Sequence, residues 1–381
     1  MKKRKGNKEA MEKRRVKKVS IILTFVLLSL SFATALYAHR NMTYDQKEAK
    51  LIEKAQFREK QVTLPDGSIL NYGEGPDNGE VLVLLHGQQV SWEDYAKVLG
   101  ELSQRYHIYA IDYYGHGGSS KSPAKYSATA IGQDLIWFIQ TVIGQAVLIS
   151  GHSSGGLLAT WIAANAPEDV KGLLIEDAPF FATEPGRAES TFAWLGFKEM
   201  ADFLASGQSN FTRYSLEHTY LAELFGSQSN FDKIVKNPAL KFMKKHPHQI
   251  PRIWLYPPEL KVNQIYDLTA NLQDGTGDYD LRFGLAFYDF SWFRDFPQEE
   301  TLKQVQCPSI LLHVAKPANF QDYYDEKGIL LSAMDAEDAK RVDTLLSDNT
   351  LIDNVDSGHD IHVEQPYIFI KAVDDLAKKA K

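Results

Sequence analysis

The sequence predicts an α/β fold: a mostly parallel sheet covered by helices, interrupted by a mainly helical insertion and preceded by a membrane-type helix. Three observations predict it. From residue 61 onward, short apolar runs of strand length alternate with helical patches, the pattern of strands buried on both faces by helices. That alternation stops between Phe180 and Thr301, a third of the chain that holds 23 of its 44 aromatic residues, and then resumes, so the middle stretch reads as an insertion into one domain. Finally, Val19 to Ala38 is twenty residues without a charge, directly behind a basic head.

The composition is ordinary for a globular chain of 381 residues, 44% hydrophobic and 24% charged, which sets aside disordered and collagen-like readings. The single cysteine, Cys307, permits neither an intramolecular disulfide nor a cysteine-rich metal site. Residues 1–38 carry ten Lys/Arg against Glu9 and Glu12, whereas the remainder carries 32 against 47 Asp/Glu. An acidic body repels phosphates, so nucleic acid is not expected as a partner. The basic head, residues 1–18, reads instead as an orientation signal.

Segment 19–38 is long enough, at ~1.5 Å per residue, to cross a ~30 Å hydrocarbon layer. The flanking positive charge keeps the N-terminus cytoplasmic and the rest outside. Two readings are open: a single-pass anchor in the cell membrane, or a signal peptide cleaved at the small residues around Ala35 and a secreted product. Residues 39–60 are charged and loosely amphipathic, and read as a helical spacer.

The elements of the body follow in order. Gln61–Leu64 and Ser68–Tyr72, joined by Pro65-Asp66-Gly67, predict a hairpin. Val81–Leu85, Ile108–Ile111, Ala146–Ile149 and Leu173–Ile175 predict buried strands, with helices over Trp92–Leu102, Ala128–Val142 and Ser154–Asn165 between them. After the insertion come a strand at Ser309–Val314, a helix at Ser332–Leu346, a strand at Thr350–Val355 and a terminal helix at Tyr367–Lys379. The core is thus 61–179 with 302–381, and the insertion is 180–301.

Gly151-His152-Ser153-Ser154-Gly155 is a G-x-S-x-G motif between a predicted strand and a predicted helix, a position that forces the serine into a strained turn projecting its oxygen. Larger side chains at the flanking glycines would clash in that turn. His86-Gly87 ends an earlier strand, Asp112-Tyr113-Tyr114-Gly115-His116-Gly117-Gly118-Ser119 follows another, and Gly358-His359 with Glu364-Gln365-Pro366 follows the last.

In this order the four motifs resemble those of the α/β-hydrolase family, from Gln61 to the C-terminus apart from the insertion. The resemblance implies the α/β-hydrolase fold and a Ser-His-Asp type of hydrolysis: Ser153 as nucleophile and His359 as base, with His362 its nearest competitor. It further implies the backbone amides of Gln88 and Ser154 as the oxyanion site, and structural duties for His86, His116 and His152. The acid departs from the pattern. After Ser309–Val314 the chain reads Ala315-Lys316-Pro317-Ala318-Asn319, without a carboxylate. The candidates are Asp177, which follows the preceding strand, and then Asp322, with Asp325 close by. Neither a metal site nor a cofactor loop is expected; His246-Pro247-His248 lacks partners at ligand spacing.

In this family a segment so placed forms a lid. Its aromatic patches, such as Trp194, Phe197, Phe283, Phe287, Tyr288, Phe290, Trp292 and Phe293, are expected mostly to pack its own core, with some lining an apolar cleft. The expected activity is that of a carboxylesterase or lipase-like enzyme acting through an acyl-enzyme on an apolar ester or amide. Ser153 argues against epoxide hydrolase and dehalogenase chemistry, which uses aspartate. Proline-type aminopeptidases, carbon–carbon bond hydrolases, cofactor-free haloperoxidases and acyltransferases stay open, as does a non-catalytic ligand-binding sensor of the same fold.

Overall fold

The structure, a computed structural model, describes residues 2–318 and 320–381; Met1 and Asn319 lie outside the described residues. One eight-stranded sheet organises the body: β1 (Arg58–Thr63), β2 (Ile69–Glu74), β3 (Glu80–Leu85), β4 (Tyr106–Asp112), β5 (Val147–His152), β6 (Val170–Glu176), β7 (Ser309–Val314) and β8 (Asn349–Val355). Their spatial order is β1-β2-β4-β3-β5-β6-β7-β8. The hairpin partners β1 and β2 run antiparallel, β2 also to β4, and every other pair is parallel.

The continuous apolar runs are explained by burial on both faces. Val81, Val83 and Leu85 of β3 face a core shared with the helices Ala128–Phe138 and Ser154–Asn165. Leu82 and Leu84 face the opposite core, beneath the helices Ala96–Leu102 and Pro366–Lys379. Side chains alternate along the strand, so both sets must be apolar.

The first helix runs Lys2–Met42, 41 residues. Its apolar stretch has a mean hydropathy of 2.3 and none of it is buried, so by length and composition it can cross a membrane. Residues 39–60 form more than a spacer. The first helix persists to Met42, Gln46–Lys54 forms a second helix capped by Asp45, and Arg58–Lys60 pair with Tyr72–Glu74 as the start of β1. The amphipathic pattern explains the difference: Ile52, Ala55 and Phe57 bury into the core, and Phe57 stacks on Trp92 at 6.3 Å.

Between β6 and β7 the chain is mainly helical. One part joins the body's core: Phe192–Ser206 packs on Leu281–Tyr288, burying Met200, Phe203, Phe283 and Phe287, and Trp292 is buried with them. Phe197 and Phe293 pack at the edge of this core, and the rings of Trp194 and Tyr288 meet at a tilt with centroids 5.0 Å apart. The other part has a separate cluster around Phe231, Val235, Ala239 and Tyr266.

Candidate active site

The site assembles where parallel strands end. Ser153 and Asp177 are the residues immediately beyond the paired ends of neighbouring strands, His152 of β5 and Glu176 of β6. Both extend the ladder by one hydrogen bond: the Ser153 N–H donates to the Glu176 carbonyl at 2.9 Å, and the Asp177 N–H to the Leu312 carbonyl at 2.9 Å. Both also carry positive φ, 54° at Ser153 and 41° at Asp177, a region that costs a non-glycine residue about 1–3 kcal/mol.

The turn around Ser153 is tight for a visible reason. A Cβ on Gly151 would overlap the Gly155 carbonyl, and one on Gly155 would overlap the carbonyls of Leu85 and His86. The helix Ser154–Asn165 begins at once, with the Gly156 and Leu157 amides donating to the Ser153 carbonyl. The Ser154 amide thus sits in the first turn, where N–H groups have no intrahelical partner and the helix dipole is positive. Its side-chain oxygen is held 2.8 Å from the Tyr113 hydroxyl. Gln88 lies in the loop after β3, and its side-chain oxygen accepts from the Tyr279 hydroxyl of the insertion at 2.9 Å.

His359 enters from the loop after β8. Its Nδ1 donates to Asp177 Oδ2 at 2.7 Å, its carbonyl accepts from His152 Nε2 at 3.1 Å, and the two imidazole rings lie 4.5 Å apart. The loop is braced by Glu364, which accepts from the Gly358 N–H at 2.8 Å, giving the G-H-x-x-x-x-E spacing its physical basis. The same carboxylate pairs with Lys261 of the insertion. The His359 side chain is 41% exposed, leaving it open on one side.

Asp177 is fully buried and accepts a second imidazole: His313 Nδ1 donates to Oδ1 at 2.9 Å. Burial works against its charge, but the donors His313 and His359 outweigh it and hold the carboxyl well below the usual carboxylate range. Desolvation likewise works against an imidazolium at His359, and the Asp177 hydrogen bond and charge overcome it, raising the ring from 6.5 to about 9.

The other acid candidates are engaged elsewhere. Asp322 is exposed and caps the Tyr323 amide at 2.8 Å, while Asp325 accepts from the Tyr220 hydroxyl at 2.5 Å and from the amides of Lys327 and Ile329. His362, the competitor for the base, is buried in a separate network. Its Nδ1 donates to Glu176 at 2.9 Å and its Nε2 to Asp94 at 3.1 Å. Burial opposes charge on all three, and mutual attraction prevails: Glu176 and Asp94 lie below their ordinary values and His362 well above. Asp94, His152 and His362 fall within ligand distance of one another, and the hydrogen bonds of His362 to Glu176 and Asp94 engage both of its nitrogens.

Sequence reasoning did not single out His313 or the Glu176–His362–Asp94 network. The signal was present, because an ionisable residue in an otherwise apolar buried strand, as in SILLHV or LLIED, demands a partner. The Asp112 loop proves to be architectural: its carboxylate accepts from the Trp92 amide at 2.7 Å, Asn71 Nδ2 at 2.8 Å and the Gly118 amide at 2.9 Å.

A serine in a strained turn between β5 and a helix, with an imidazole from the β8 loop bonded to a carboxylate beside it, defines a class of fold as well as a site. The chain belongs to the family described as alpha/beta hydrolase fold, which matches residues 80–366. It is 36% identical over 115 residues to pimeloyl-[acyl-carrier protein] methyl ester esterase of Vibrio campbellii, covering 30% of this chain and 42% of that protein. It is 31% identical over 131 residues to lipase 1 of Psychrobacter immobilis, covering 34% and 41%. The match therefore spans less than half of either relative. Among solved structures, a membrane phospholipase A described as a bacterial virulence factor is similar in fold, with a TM-score of 0.56 and 20% identity over 94% of this chain and 98% of that one.

Proposed function

We propose that the chain is a serine hydrolase of the carboxylesterase or lipase type, acting on apolar esters through an acyl-enzyme, with residues 180–301 as its lid. The observation that carries the reading is the 2.7 Å hydrogen bond from His359 to a fully buried Asp177, beside a serine held at φ 54°. In that reading Ser153 Oγ attacks the ester carbonyl carbon while His359 Nε2 takes its proton. Asp177 keeps Nδ1 protonated, so that Nε2 is the basic nitrogen, and stabilises the imidazolium that forms. The Ser154 and Gln88 amides receive the developing oxyanion. His359 returns the proton to the leaving alcohol, and a water activated by the same ring releases the acid. The esterase and lipase relatives support the substrate class. The first helix acts as an anchor with the body outside the cell, supported by the basic residues before its apolar stretch.

The test is hydrolysis of p-nitrophenyl esters from acetate to palmitate by the full chain and its Ser153→Ala variant. Serine-dependent turnover with an optimum at medium or long acyl chains is the expected result. Failure of Ser153 to react with a fluorophosphonate in folded protein would overturn the reading in favour of a binding module.

A further inference from the structure

Helix α1 (Lys2–Met42) leaves its apolar stretch at Ala38, and one loop of the lid is fastened there. The Tyr37 hydroxyl donates to the Leu255 carbonyl at 3.0 Å, Asn41 Nδ2 donates to the Trp254 carbonyl at 2.8 Å, and Arg40 pairs with Glu259. Arg252 bonds Asp45 at 2.7 Å, just past the helix end. Trp254 shares a crevice with Leu27, Leu30, Ser31, Thr34, Ala35 and Ala38. If α1 spans a bilayer, residues 37–41 stand at headgroup level, and the Trp254–Leu255 backbone tied to them stands there too, with the Trp254 side chain against the apolar stretch.

The loop's surface suits that level. Trp254, Leu255 and Leu260 are 43%, 54% and 60% exposed, and Ile234 is exposed beside them, its carbonyl accepting from the Tyr256 hydroxyl. In a protein whose body is acidic, residues 231–261 carry seven Lys/Arg against Asp232 and Glu259 alone. Arg252, Lys236 and Lys261 are spent in ion pairs within the fold. Lys233, Lys241, Lys244 and Lys245 are exposed and, among the described residues, have no ion-pair partner. Exposed aromatic and aliphatic tips and unneutralised lysines within one stretch of chain, 231–261, supply what binds an anionic interface, apolar groups entering the acyl boundary and cations meeting lipid phosphates.

From this we infer that the lid edge formed by Ile234, Trp254, Leu255 and Leu260 with Lys233, Lys241, Lys244 and Lys245 docks on the anionic bilayer in which α1 is embedded. The charge and the fastening to α1 select this occupant over a soluble partner. The inference rests on the anchor reading of α1 but not on catalysis.

The test uses the full chain in nanodiscs of phosphatidylcholine alone or mixed equally with phosphatidylglycerol, each containing a lipid brominated near the headgroup. Tryptophan quenching is compared among the wild type, Trp254→Phe and the triple variant Lys241→Glu, Lys244→Glu, Lys245→Glu. Carbonate-resistant membrane association is measured separately, since its loss reports failure of the anchor alone. The expected result is quenching at least about twofold stronger in the anionic discs, lost in Trp254→Phe and reduced to the zwitterionic level in the triple variant or in 0.5 M salt. Equal quenching in both discs, or quenching untouched by the lysine changes, would overturn the inference. So would a signal that depends on two copies sharing a disc, which would assign the surface to self-association.

Discussion

Replacing Asp177 by Asn tests the proposed mechanism most directly, because two separate consequences follow from one hydrogen bond. Asp177 holds the His359 ring at about 9, against 6.5 for an ordinary imidazole. A general base works only when neutral, so wild-type hydrolysis should rise with pH and level off near 9 rather than near 7. The amide of Asn carries no charge, so the limb should fall back toward 6.5. The same change offers Nδ1 an N–H as readily as a carbonyl, which favours the wrong tautomer and leaves the imidazolium unstabilised. In a serine protease of the same chemistry that exchange costs about 10⁴-fold in kcat. The assay is the pH–rate profile of p-nitrophenyl butyrate hydrolysis for the wild type, Asp177→Asn and Asp322→Asn. A variant of Asp177 that keeps more than about a tenth of the rate, with its limb unmoved, would refute the reasoning. So would an equal loss in Asp322→Asn.

Three further outcomes are expected. His313→Phe removes one of the two imidazole donors from a carboxylate with no access to water, so it should cost about 1–3 kcal/mol in urea denaturation and lower turnover, without abolishing fluorophosphonate labelling. Gly155→Ala forces a methyl group against the Leu85 and His86 carbonyls, and should abolish labelling of Ser153 while destabilising the fold by at least about 1–3 kcal/mol. Stability and activity should have opposed pH dependences. Glu176, Asp94 and Asp177 lie below their ordinary values, so their contribution is present above about 4.5 and lost in acid, whereas His359 and His362 are raised, so theirs is full below 6.5 and lost as pH climbs through the raised values. Thermal stability should therefore peak between about 4.5 and 6.5, well below the pH of fastest turnover; coincident maxima would contradict the assignment.

The legibility of the sequence varied with the physics involved. Strands such as Val81–Leu85 were readable because burial on two faces leaves no room for polar residues, and the positions of Ser153 and His359 were readable because a strand end followed by glycine is a local signal. Asp177 entered as a candidate, beside Asp322, from the absence of a carboxylate directly after Val314 together with the family resemblance, and its partner His313 was missed because nothing local shows which neighbouring strand a buried histidine will meet. The network of Asp94, Glu176 and His362 joins residues up to 268 apart in sequence, beyond any spacing rule. Residues 39–60 were underread for a simpler reason: a short amphipathic helix looks alike whether its apolar face meets the body or nothing at all.

The site of Asp177 on β6 has a consequence for how this chain can change over generations. Ser153 and Asp177 issue from adjacent strands locked in register at His152 and Glu176, so their spacing is inherited as a single unit. Residues 315–318, directly after β7, include no carboxylate. Residues 320–335 instead bridge to the insertion, Leu330 pairing with Thr191, so the rim of the proposed site can vary there without altering the register that spaces Ser153 and Asp177.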